Sequence, residues 1–296
     1  MGRSIRVPGV ADIRKVDDRV TLRALGADPG LDRRFDDTGP AVNRVLVGRM
    51  NEAWRLDGKP LPSIAPRGDA ERAKSQQGLR KRLDGGALWD SDTLAALVAA
   101  VRGERSADTL GPAAQQAVGR LFNKDYIGNA DSFQAACDLD DAVRTRNPLR
   151  LLTLRATGKL RRSRRLLAER VNGDLAGVHG TGIAIHNMVR GFRKMRALWA
   201  ERRQRPSTEE AAKACLFAPE NVLRQAHVHA STAAGEVKPG TLVLFELGQI
   251  SESTRDPETV FMAGTWAECP AMNFVPALYR AVWEAALAAE EAEKRT

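Results

Sequence analysis

Residues 261–287 read FMAGTWAECPAMNFVPALYRAVWEAAL. Phe274, Leu278, Val282, Trp283 and Leu287 recur at the spacing of one helix face. They predict a closing helix from about Ala271 to Glu291, and Pro276 favours a start late in that range because proline is tolerated only in a first turn. Cys269 stands just ahead of this helix. A thiolate needs a sheltered, electropositive position, and the free N–H groups and positive dipole end of a helix supply one. Cys269 is therefore a candidate ligand. Cys137 and Cys215 read as core residues. Three distant cysteines, an odd number, support neither a disulfide framework nor a cysteine zinc site.

Working back from the cysteine, residues 251–270 read as a loop containing Arg255-Asp256-Pro257. Before it, Lys238-Pro239-Gly240 is a turn leading into the apolar strand Thr241–Leu247. Arg224 enters an earlier strand region, Ala226–Thr232, on which His227 and His229 alternate and so share a face. Ser207 and Glu210 form a capping box that opens a short helix carrying Lys213, and Pro219 follows. Further back, residues 172–200 (NGDLAGVHGTGIAIHNMVRGFRKMRALWA) read as one long helix. Gly177, Gly180 and Gly182 each cost it about 1 kcal/mol relative to Ala. Their clustering implies a close approach to the backbone or a local distortion. His179 and His186, seven apart, fall on one helix face.

The first 37 residues are polar with scattered Pro and Gly and read as an irregular arm. Helices follow at 40–56 and Ala70–Leu83, separated by a Pro/Gly loop and closed by Gly85-Gly86. Asp92 can cap the next helix, Pro112 suits the first turn of another running to Phe122, and two more fit 131–146 and 148–169. Residues 1–296 are thus read as a single mainly α domain with a small β-hairpin region. Hydrophobic residues at 43% and charged residues at 28% suit a folded globular chain. Neither a membrane-length apolar run nor a signal-peptide core is present, so no membrane contact and a cytoplasmic location are expected. A net charge of +9 favours an anionic partner. The basic clusters at Lys159–Arg165, Arg193–Arg196 and Arg202–Arg205 lie in amphipathic helical patterns and read as solvated faces.

Taken together, residues 207–287 resemble the C-terminal part of cytochromes P-450. In that family a Glu-x-x-Arg helix, a strand arginine, a hairpin and a Phe-x-x-Gly-x-x-x-Cys-x-Gly loop precede the last helix. Glu210-Ala-Ala-Lys213 resembles the first motif with Lys for Arg, and Arg224 resembles the arginine that pairs with a haem propionate. Phe261, Gly264 and Cys269 resemble the Cys loop, with one extra residue and Ala271 for the last glycine. The family's basic residue two places before the cysteine is Ala267 here. Cys269 to Leu287 is also similar to allene oxide synthases. Upstream, Ala176-Gly-Val-His179-Gly-Thr181 resembles the distal-helix motif, with His for the acid.

The resemblance implies a P-450-like fold of reduced size, with 172–291 as the haem-binding half. It implies haem b as cofactor, Cys269 on the iron, and Arg224, His227, Phe261 and Gly264 around the cofactor. His179, Thr181 and His186 are then the distal catalytic candidates, and the glycines would admit haem or dioxygen to the backbone. A thiolate below haem iron favours O–O cleavage. The implied activity is oxidation of a hydrophobic organic substrate, or use of a peroxide: peroxygenase, hydroperoxide-rearranging or monooxygenase-like chemistry. The missing acid–threonine pair favours the peroxide, and the reduced body leaves the need for a redox partner open. One alternative is a non-enzymatic haem carrier or sensor. A second is a basic helical nucleic-acid-binding protein without cofactor, disfavoured by an aromatic content of 5% and by the lack of a nucleic-acid motif.

Overall fold

The computed structural model describes residues 4–83, 89–145, 147–201, 205–233, 235–252 and 255–295. The Gly85-Gly86 stop and most of the 202–205 basic cluster lie outside the described residues. The strands are β1 Ile5–Val7, β2 Ala11–Val16, β3 Leu31–Asp32, β4 Arg55–Leu56, β5 Lys59–Pro60, β6 Val222–Ala226, β7 Ala230–Thr232, β8 Gly235–Val237 and β9 Leu242–Phe245. The first helices are α1 Arg19–Ala27, α2 Ala41–Ala53, α3 Ala70–Leu83, α4 Ser91–Arg102, α5 Leu110–Gly119, α6 Ala130–Arg144, α7 Pro148–Ala156 and α8 Lys159–Arg170. They are followed by α9 Leu175–His179, α10 Ile185–Ala200, α11 Thr208–Ala214, α12 Leu247–Glu252, α13 Pro257–Val260 and α14 Phe274–Arg295.

Helices dominate, as the periodicity requires. α10 buries Ile185, Met188, Val189, Phe192, Met195 and Trp199, and packs against α4, α5 and α14. Phe192 meets Tyr279, and Trp199 meets Trp283, edge to face across the α10–α14 contact. The expected long helix is interrupted: Gly180–Ala184 forms a π-helical turn between α9 and α10. The three glycines serve helix packing. A Cβ on Gly177 would lie 2.8 Å from the Val171 Cβ, one on Gly180 3.0 Å from Val118, and one on Gly182 2.8 Å from Leu167. Protein side chains therefore fill the space that the sequence reading gave to haem or dioxygen. The single helix expected over 148–169 is likewise split, at Gly158, whose φ of 63° ends α7.

Of the expected irregular arm 1–37, the described residues 4–37 are ordered into elements. They supply β1, β2, α1 and β3, and the five-stranded sheet runs β1-β2-β9-β6-β3. β2 pairs parallel with β9, Ile13 opposite Leu242 through Val16 opposite Phe245. This pairing joins residues over 200 positions apart, so no local pattern announces it. Fully buried Asn43 on α2 locks the sheet's entry: its Nδ2 donates to the Asp12 and Gly240 carbonyls, each at 2.8 Å. Gly39 and Gly240, both at positive φ, make this crossing possible, since a Cβ on Gly39 would sit 2.6 Å from the Gly240 oxygen. Of the expected loop 251–270, Ser251 and Glu252 end α12, and Pro257–Val260 form α13.

Candidate functional site

The Cys loop begins at Phe261, directly after α13. Met262 and Gly264, at φ of 54° and 72°, turn it. The Cys269 N–H closes it by donating to the Phe261 carbonyl at 2.8 Å, and Gly264 N–H donates to Glu268 at 2.9 Å. Phe261 thus acts through its backbone, and Gly264 through its φ. Cys269 precedes a 3₁₀ turn, Pro270–Met272, and α14 then starts at Phe274 with Pro276 in its first turn. Burial pushes the Cys269 thiol up, against the Ala271 N–H and Arg33, which both favour the thiolate.

Around this loop lies a cluster that the sequence did not reveal. The guanidiniums of Arg72, Arg224 and Arg33 lie 4.7, 5.2 and 5.4 Å from the ring centre of Trp266, three residues before the cysteine. Arg224 is 1% exposed and Arg72 is 5% exposed. Each arginine uses one nitrogen on the backbone: Arg72 on the Trp266 carbonyl (2.9 Å), Arg33 on that of Pro62 (3.0 Å), Arg224 on that of Leu223 (2.7 Å). The Nε of each has no partner. None forms an ion pair with a carboxylate among the described residues; Asp32, and for Arg72 also Asp69, act only at longer range. Burial and mutual repulsion bring Arg33 down to about 9 and Arg224 well below its ordinary value. Buried charges are normally paired. Arg72 and Arg224 are two buried cations without an ion pair, and with half-buried Arg33 beside them they form a candidate anion site.

His179 ends α9 at the same place. Burial, then Arg33 and Arg72, bring it down to about 4, so its ring is neutral, and its Nδ1 has no partner. Arg33, His179 and Cys269 are each half-buried, and the Arg33 charge acts on both the imidazole and the thiol.

The other candidates lie elsewhere. The π turn adds one residue to the helical ladder and rotates the residues after it by about 100°. His186 therefore does not share the His179 face. Its Nε2 meets the Ala136 carbonyl at 3.1 Å, and its ring leans on Phe133. Thr181 is fully buried, and its hydroxyl donates to the Gly177 carbonyl at 2.8 Å. His227 lies past the end of β6 with its Nδ1 3.5 Å from Asp36, on the Gln225 side of the strand and away from Arg224. No group of three metal-ligating side chains occurs among the described residues. Exposed Glu210 completes the Ser207 capping box and forms no ion pair with Lys213.

No family model matches the sequence, and no curated protein matches it. Solved structures do match the fold. A cytochrome P450EX alpha solved with myristic acid aligns over 93% of this chain and 80% of its own, at TM-score 0.56 and 12% identity. CYP154C4 from Streptomyces sp. ATCC 11861 aligns over 96% and 84%, at TM-score 0.58 and 14% identity. MoxA from Nonomuraea recticatena aligns over 97% and 84%, at TM-score 0.55 and 14% identity.

The chain has the cytochrome P450 fold. Within that P450 fold, the interrupted helix α9–α10 and the Cys loop hold the elements the sequence reading assigned to the two sides of a cofactor. The residues that reading missed are Arg33, Arg72 and Trp266. Arg33 sat in a segment read as an irregular arm, and Arg72 in a helix to which the reading gave no role. Arg72 is the one buried residue of α3, which no pattern of apolar residues foretells. Among the described residues no helix is long and apolar enough to cross a membrane.

Proposed function

We propose that this chain is a haem-thiolate protein that oxidises a hydrophobic organic substrate or uses a peroxide. The observation that carries the reading is the Arg72–Arg224 pair, buried without ion-paired carboxylates beside Trp266, in the loop whose Cys269 precedes the 3₁₀ turn before the final helix. Haem b fits this donor set. Arg72 and Arg224 would hold its propionates, and Cys269, ahead of the 3₁₀ turn Pro270–Met272, would supply a sulfur ligand. With thiolate ligation, bound haem supplies oxygen-transfer or O–O cleavage chemistry.

The chain's own residues do the rest. Arg72 and Arg224 orient the cofactor's acidic edge. Trp266 stacks on both cations and holds their forks in place. Neutral His179, with Nδ1 unpartnered, would accept a hydrogen bond at that nitrogen. Thr181 keeps its hydroxyl on the Gly177 carbonyl and serves the helix. An apolar substrate is consistent with the myristic acid held by one P450 of the same fold.

The test is spectral. The purified chain, supplied with haem, reduced and exposed to carbon monoxide, shows a thiolate-type Soret band. No Soret band after supplementation refutes the proposal.

A further inference from the structure

Glu268 is the one charged residue of the Cys loop from Phe261 to Pro270, and it stands directly before Cys269. Its carboxylate makes two bonds in different directions. Oε2 accepts the Gly264 N–H at 2.9 Å, which folds the side chain back over the loop. Oε1 accepts from Arg80 Nη2 on α3 at 3.0 Å. Arg72, further back on α3, donates to the Trp266 carbonyl at 2.9 Å. The helix therefore grips the loop twice, at the third and the first residue before the cysteine. α3 buries only Arg72, so polar ties rather than an apolar face hold it in place. Two residues after Arg80, Arg82 reaches Asp174, the N-cap of α9, at 3.0 Å. One turn of α3 thus joins the Cys loop to the helix that carries His179.

Bonds within the loop, such as Cys269 N–H to the Phe261 carbonyl, fix its shape, whereas a bond from α3 fixes its place. We propose that Glu268 is a positioning residue for Cys269, its carboxylate holding the Gly264 turn with one oxygen and α3 with the other. Its effect on the loop holds with or without cofactor; its effect at the iron rests on the haem reading. The bond to Gly264 carries more of the effect, because a backbone N–H on a carboxylate is charge-assisted. The ion pair carries less, since 54% of the Arg80 side chain and 27% of the Glu268 side chain are exposed to water.

Two measurements on the full chain test this: amide exchange of Gly264 in the apoprotein, and the lifetime of the thiolate-type Soret band in the haem-loaded, reduced, carbon-monoxide-bound protein. Glu268→Met keeps the size of the side chain and removes both acceptors. It speeds Gly264 exchange about tenfold and shortens the lifetime of the band about tenfold, the loss of one charge-assisted hydrogen bond. Glu268→Gln keeps an oxygen for Gly264 and lies between Glu268→Met and the wild type in both. Arg80→Gln changes each about twofold. A side chain that merely packs would leave Gln and Met alike, and that result overturns the positioning role. Wild-type values in Glu268→Met overturn it equally. Wild type without a thiolate-type band overturns the haem reading and the effect at the iron, while Gly264 exchange in Glu268→Met still decides whether Glu268 holds the loop.

Discussion

Lowering the pH from 7.5 to 4 should destabilise the apoprotein through His179, and replacing that residue should remove the effect. In the fold its imidazole titrates at about 4, against an ordinary value of 6.5. Burial is the first cause, and the Arg33 and Arg72 charges add to it. A folded-state value below the unfolded one means that the unfolded chain binds the extra proton. The histidine costs nothing above about pH 6.5, and stability is lost as pH falls toward 4. A tenfold difference in proton affinity between the two states corresponds to about 1.4 kcal/mol. Allowing for the part of the ring that is accessible and screened by water, the loss is on the order of 2–3 kcal/mol. Urea unfolding of wild type and His179→Gln at several pH values measures it. Between pH 6.5 and 4 the wild-type stability should fall more steeply than that of the variant. Parallel curves refute the claim that His179 is held neutral beside unpaired cations. Loading haem, whose propionates offset Arg33 and Arg72, should shrink the difference.

Two further outcomes rest on packing. Gly191→Ala places a methyl group onto the Tyr279 hydroxyl and 2.5 Å from the Cys215 carbonyl oxygen. Calorimetry should show a loss of about 3 kcal/mol or more, because a fully packed core accepts no extra carbon there. Thr181→Val removes only a hydroxyl bonded to its own helix. It should cost about 1 kcal/mol in urea titration and leave haem binding and proton-linked turnover unchanged. A large loss of turnover would return Thr181 to the distal machinery.

The helices were legible because each carries its own signal. α2 appears where apolar spacing puts it and α11 where its capping box does, and the distortion at Gly180 follows from glycines that a regular helix has no reason to hold. The position of Cys269 just ahead of the closing helix was legible too, although a 3₁₀ turn stands between them. The sheet was not. β2 and β3 are short, and their partners lie on strands some 200 residues later. The cations at the site depend on those pairings: Arg33 reaches Arg224 only once β3 is laid beside β6. His179 and His186 illustrate the converse error. A helical wheel assumes an unbroken ladder, and one π turn parts them.

The central claim is that Cys269 holds haem iron. The reduced, carbon-monoxide-bound spectrum of the reconstituted wild type and of Cys269→Ser tests it most directly. The account predicts a thiolate-type Soret band in the wild type and its loss or displacement in the variant. A band identical in the two proteins would contradict it.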